Sequence, residues 1–325
     1  MHYAPVQLHI PDGFLNFIVS IICWVITATV LSSAISRTNK SLGEKQVPLM
    51  GLMAAFIFAA QMINFPVAGG TSGHLLGGAL AAIILGPWAA MLVMTAVIAV
   101  QGLLLQDGGL LVMGANILNM GILTAAIGYG LYRATFGGSR PVKLAVAGVA
   151  AWLSVMAGAL ATALQLWLSG TSNLQTVVIA MLGVHALIGV GEAFITVAAL
   201  TFIFQTRPDL LDEKSVAAQS GRGWIIAGVT IALIVVLLSP FASANPDGLE
   251  RVAMDMGFID AARPAPFEIL PNYTIPFLGS TPLSTILAGV AGILVVLGLV
   301  YAAGRLLQKK SETQKSAPSM ANRQS

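Results

Sequence analysis

Long apolar runs alternate with short polar or Gly/Pro-rich breaks along the chain. Runs long enough to cross ~30 Å of hydrocarbon as helix occur at about 15–36, 47–65, 110–132, 144–168, 176–204, 223–243 and 284–304. Each is bounded by polar or Gly/Pro punctuation. The apolar run 75–106 is too long for one ordinary span and is interrupted by Gly86-Pro87, so it divides into helices at 75–86 and 88–106. The pattern predicts an all-α polytopic membrane protein with nine spans, seven in a first bundle and two in a C-terminal module. Period-two alternation of the kind a membrane barrel needs does not occur.

Composition agrees: 57% of the 325 residues are hydrophobic and 9% charged, against about 25% charged in soluble domains. A net charge of +3 is too diffuse for nucleic-acid binding. Basic residues collect on alternate connections: Arg37, Lys40 and Lys45; Arg133, Arg140 and Lys143; Arg207, Lys214 and Arg222; then Arg305 and the tail. The positive-inside rule therefore predicts the N-terminus outside and the C-terminus cytoplasmic, which works only if 75–106 crosses twice. The opening residues lack the basic region of a signal peptide. The charged stretch 206–222 reads as a cytoplasmic linker between the two modules.

Cys23 is the only cysteine, so any metal chemistry rests on nitrogen and oxygen. The histidines are His2, His9, His74 and His185, the first three at the outer face in this topology. His74 follows the Gly-rich string 66–73, backbone that is tolerated at membrane depth where it lines a cavity or is buried in protein; a helix-packing loop with an interfacial His remains the alternative. Imidazole suits nickel, cobalt, copper and zinc, whereas calcium and magnesium need clustered oxygens. The first module has only Asp12 and Asp107 as outer carboxylates. A free amino terminus with its neighbouring amide would complete a planar nitrogen array, the geometry of Ni(II) or Cu(II). His185 and Glu192, two turns apart, share one face of a span. Glu192 is the one carboxylate deep in an apolar run, and it needs a partner, for the metal site or for helix packing. Gln61, Asn64 and Ser72 are candidates to orient His74; Asn116 and Asn119 suit interhelical hydrogen bonds. The acidic residues Asp247, Glu250 and Asp255 read foremost as a turn opening a surface helix.

The string His9-Ile10-Pro11-Asp12-Gly13-Phe14-Leu15 resembles the amino-terminal signature of the CbiM/NikM substrate-binding components of energy-coupling-factor nickel and cobalt transporters. Residues 61–78, Gly86-Pro87-Trp88 and residues 183–196 are similar to that family too, and Asn245 to Phe258 resembles the PDGLE domain, related in role to CbiN and NikN. The resemblance implies a metal held by the N-terminal amine, by the amide and imidazole nitrogens of the second residue, here His9, and by His74. It also implies a chain starting at position 8, with Leu8 supplying the amine and residues 1–7 an extension from a misplaced start; a chelate by Met1-His2 is the rival. The expected domains are 8–205 for metal binding, 206–222 as linker, 223–310 as the PDGLE module and 311–325 as a disordered tail. The implied partners are a CbiQ/NikQ-type coupling subunit and CbiO/NikO-type ATPases, in a bacterial or archaeal inner membrane. Consistently, the sequence has no G-x-x-x-x-G-K-[ST] phosphate loop. No enzymatic chemistry or permanent cofactor is expected; Ni²⁺, slightly favoured, or Co²⁺ is cargo. A self-sufficient secondary permease, and a membrane sensor or enzyme with a structural metal, are the rivals.

Overall fold

A computed structural model describes residues 9–41, 46–211 and 223–316. Leu8, the extension 1–7, His2 and the linker from 212 to 222 lie outside the described residues, as does the tail from 317. The first module contains α1 (Phe17–Ser41), α2 (Gln46–Gln61), strands β1 (Phe65–Val67) and β2 (Thr71–Gly73), α3 (Gly78–Leu85), α4 (Pro87–Leu104), α5 (Met113–Asn116), α6 (Thr124–Tyr132), α7 (Arg140–Leu168) and α8 (Leu174–Thr206). The second contains α9 (Gly223–Leu238), α10 (Gly248–Asp255) and α11 (Pro282–Ser316). The last helix runs past the expected boundary at 310.

Every apolar run predicted as a span is helical over most of its length, but not all are long. Seven described helices have the length and composition to cross a membrane, five in the first module and two in the second; α2 is shorter. The expected helix 75–86 begins only at Gly78 and has eight residues, about 12 Å of rise and too little to cross alone. Non-helical chain precedes it. Phe65–Val67 pairs antiparallel with Thr71–Gly73 in a small hairpin, closed by Gly69 and Gly70 at φ 79° and 68°. Residues 74–77 then run without regular structure into α3.

Local chemistry accounts for the boundaries. Gly86 takes φ 79° and Pro87 opens α4, since proline needs no amide partner in a first turn. Asn173 caps α8, its side chain accepting from the amides of Gln175 and Thr176. Met113 to Tyr132 is one helical rod whose middle, Ile117–Leu123, widens to a π-helix.

Small residues let these rods approach closely. A Cβ at Gly128 would lie 2.5 Å from that of Ala79, where α6 crosses α3. The second module is seated the same way: Gly292 of α11 faces the Phe58 ring and Gly304 faces Val47, both on α2, while Gly228 of α9 faces Leu52. Residues 269–273, in the loop before α11, hydrogen-bond along the end of α4, with Leu270 and Asn272 amides donating to Leu104 and Leu105 carbonyls. Gly128→Val is expected to force α3 from α6 at a cost of about 1–3 kcal/mol and lower the thermal unfolding midpoint in detergent. Gly130→Ala, at a helical position with open space, should not lower the midpoint and is expected to raise it slightly.

Candidate metal centre

The segment from His9 to Leu15 is irregular and largely buried, so its backbone groups need partners. Asn116 supplies two at once: its Oδ1 accepts from the Ile10 amide and its Nδ2 donates to the Ile10 carbonyl, each at 3.0 Å. The Gly109 amide donates to the same carbonyl at 2.9 Å. Asp12 is consumed in scaffolding, because its carboxylate accepts from the amides of Leu110, Leu111 and Val112 at 2.9–3.2 Å. Its carbonyl accepts from the Arg263 amide of the second module. Gly108 touches His9 so closely that a Cβ would lie 2.9 Å from the His9 Cβ.

His9 is 2% exposed and His74 8%. Their ring centroids are 5.7 Å apart, edge to face. A nitrogen bound at ~2.0 Å puts a ring centroid roughly 3 Å from a metal, so two rings sharing one ion stand about 4.5–6 Å apart. The pair satisfies that spacing. Both rings line a cavity of about 70 Å³ together with His185, Asn116, Asn119 and Thr162, room enough for one cation.

The ring nitrogens are sorted by their neighbours. His9 Nδ1 lies 3.1 Å from the Asp107 carbonyl and 3.3 Å from its Oδ1. Both are acceptors, so Nδ1 carries the hydrogen. His9 Nε2 is buried with no hydrogen-bond partner among the described residues. His74 Nδ1 likewise donates to the Leu75 carbonyl at 3.0 Å, and His185 Nδ1 to the Met181 carbonyl at 2.8 Å.

The second module closes this end of the site. Tyr273 donates to Asp107 Oδ2 at 2.7 Å, and Gln101 Nε2 donates to the Tyr273 oxygen at 3.2 Å. Burial alone would raise the Asp107 carboxyl, but His9 beside it and the hydrogen bonds from His9 and Tyr273 hold it down to about 2. Conversely, burial disfavours the charged His9 ring, yet the Asp107 charge and hydrogen bonds outweigh it and raise the imidazole above its ordinary value. Asp247 caps α10, accepting from the Glu250 amide at 2.7 Å. That is the helix-opening turn expected from sequence, but it is buried, and the desolvation pushes its carboxyl up to about 7. The next residue, Gly248, lies against the His185 ring, and Leu249 lines the cavity.

The other candidates separate clearly. Glu192 accepts from the amides of Leu76 and Gly77, and Gln61 Nε2 donates to the Leu76 carbonyl. Ser72 does not line the cavity; its hydroxyl and amide donate to the Asn245 and Pro246 carbonyls. Asn64, beside the Phe65–Gly73 pair, does not line the cavity; its carbonyl accepts from the Ser243 amide. Asn119 pairs reciprocally with Gln165 across α7, whereas Asn116 holds backbone instead of a neighbouring helix. Sequence reasoning named Asp107 only as an outer carboxylate and Asp247 foremost as a helix-opening turn, and it missed Tyr273. For Asp107 the signal was its rarity, one of two outer carboxylates in the first module.

Comparison with known proteins covers nearly the whole chain. The profile of the CbiM family, described as the cobalt uptake substrate-specific transmembrane region, matches residues 9–210. That of the PDGLE domain matches 222–309. The chain is 34% identical to the putative fused nickel transport protein NikMN of Archaeoglobus fulgidus, across 92% of this chain and 98% of that one. It is 27% identical to the fused nickel transport protein NikMN of Rhodobacter capsulatus, across 91% and 97%. A crystal structure of a truncated transition metal transporter superposes with TM-score 0.55 at 33% identity, covering 61% of this chain and 98% of that one.

Removing the Asn116 side chain should loosen the N-terminal segment specifically. Asn116→Ala is expected to destabilise by about 1–3 kcal/mol through unpaired buried groups and to speed hydrogen exchange at residues 9–14. Asn119→Ala, which breaks the pairing with α7, should leave exchange there unchanged.

Proposed function

The chain belongs to the CbiM family of cobalt and nickel transport components, with a PDGLE domain fused at its C-terminal end, and on that premise we propose that it is the substrate-capture component of an ATP-driven energy-coupling-factor importer. It is a multi-pass membrane protein of a transporter family and not an enzyme. In this reading it takes Ni²⁺ or Co²⁺ at the outer face of a bacterial or archaeal inner membrane, with its C-terminus cytoplasmic. A CbiQ/NikQ-type coupling subunit and CbiO/NikO-type ATPases supply the drive. Nickel is slightly favoured, because a planar nitrogen set suits it and the fused relatives carry nickel in their names.

The observation carrying this reading is the approach of His9 and His74, 65 positions apart in sequence, to a ring separation of 5.7 Å in one buried cavity. Among the described residues no group of three or more His, Cys, Asp or Glu is placed to hold a metal. The proposed set therefore adds backbone nitrogen: the amide of His9 and an amine at position 8. Ring and amide of one residue can grip the same ion only through Nδ1, which lies nearest the main chain. Nδ1 now faces Asp107, so capture by this chelate requires the His9 ring to turn and release that carboxylate.

Calorimetric titration of the full chain in detergent with Ni²⁺ and with Co²⁺ tests the site. His9→Ala and His74→Ala should each weaken binding at least about 100-fold, and retained affinity in both would refute it. In vesicles, uptake should require the coupling and ATPase subunits; metal accumulation driven by the chain alone would favour a secondary permease.

Proton competition gives an independent check. Metal needs the neutral imidazole, and Asp107 raises the proton affinity of His9. Binding should thus weaken as pH falls, beginning above the ordinary imidazole value of about 6.5. Asp107→Asn removes the raising charge, so its binding should persist to lower pH. Identical profiles for the two proteins between pH 5 and 8 would contradict the assignment.

A further inference from the structure

Glu192 is the only carboxylate within the seven long spans, and it is fully buried. A charge there is costly unless it is matched. Its match is backbone: the carboxylate oxygens accept from the Leu76 amide at 2.6 Å and the Gly77 amide at 2.9 Å. These amides precede the first helical residue of α3, where no intrahelical acceptor serves them, and the helix N-terminus favours a negative charge.

The Leu76 amide shares one rigid peptide plane with the Leu75 carbonyl. That carbonyl accepts from His74 Nδ1 at 3.0 Å. Fixing the amide side of the plane therefore fixes where the carbonyl points, and with it the His74 ring. Gln61 restrains the following peptide from the opposite edge through the Leu76 carbonyl at 2.8 Å. One turn before Glu192, Ile188 packs on Gly73, where an added Cβ would lie 2.7 Å from Ile188 Cγ1. Thus α8 holds the chain on both sides of His74.

We propose that Glu192 is a positioning residue for His74, acting through the peptide unit between Leu75 and Leu76 to aim the imidazole into the cavity. This rests on the reading that His74 is a metal ligand. Outer partners that orient a ligating histidine are typically worth 10–100-fold in metal affinity.

The test is Ni²⁺ titration of the full chain in detergent, with the visible absorption of the bound ion recorded for ligand geometry. Glu192→Gln keeps one acceptor oxygen and turns an NH₂ group toward an amide that needs an acceptor. It is expected to bind Ni²⁺ about 10–100-fold more weakly with a shifted absorption band. Trp152→Phe removes a different hydrogen bond to α8, from the indole to the Ala186 carbonyl, and should change neither quantity. If Glu192→Gln is not monodisperse, Glu192→Asp, which keeps the charge but shortens its reach, carries the same expectation. Unchanged affinity and spectrum in the folded variant would overturn the proposal. His74→Ala is run alongside: if it too binds Ni²⁺ normally, the metal-site reading itself has failed, whereas if it alone loses binding, only the role of Glu192 has.

Discussion

Backbone that leaves the helical path at membrane depth keeps its hydrogen-bonding groups exposed to a medium that cannot satisfy them. This constraint organises the site end of the molecule. Two non-helical stretches meet there, the segment from His9 to Leu15 and the hairpin with its exit at residues 65–77. Several buried polar side chains nearby meet a main-chain group from one of these stretches or from the loop they touch, while Asn119 and Gln165 pair with each other. Asn116 holds Ile10, Asp12 holds the amides of 110–112, Gln61 holds Leu76, and Glu192 holds Leu76 and Gly77. The polar residues of these apolar spans are the means by which irregular chain is kept where two imidazoles can converge.

The PDGLE module extends the same logic across a domain boundary. Its turn at 245–249 receives hydrogen bonds from Ser72 and rests on His185, while Tyr273 reaches Asp107 and so the His9 ring. The cavity is therefore bounded by both modules, and the electrostatics of His9 depend on a carboxylate that the second module helps to hold. This is why Asp247 combines an ordinary capping role with an extraordinary degree of burial.

Much of this was legible in the sequence. Apolar run length located the helices because hydrocarbon thickness and helix rise leave little freedom, and Gly86-Pro87 marked the break before α4 because proline cannot continue a helix. The resemblance around His9 to Leu15 singled out His9 and His74, which the fold brings together. Apolar run length overestimated α3, since Leu75, Leu76 and Gly77 are as apolar as the helix they precede, while Glu192 accepting from the Leu76 and Gly77 amides and Gln61 donating to the Leu76 carbonyl hold them in irregular chain. Tyr273 was invisible for a different reason: it lies 166 positions from Asp107, and no local pattern reports a contact between modules.

The glycines that seat α9 and α11 on α2 have a kinetic consequence. A loop borne on a separate small subunit would have to find its partner by diffusion in the bilayer. Here, covalent linkage and a close-fitting helical seam hold residues 245–273 beside the cavity at a high effective concentration. Every copy of the bundle is therefore made together with its PDGLE module, in a one-to-one ratio that expression levels cannot upset.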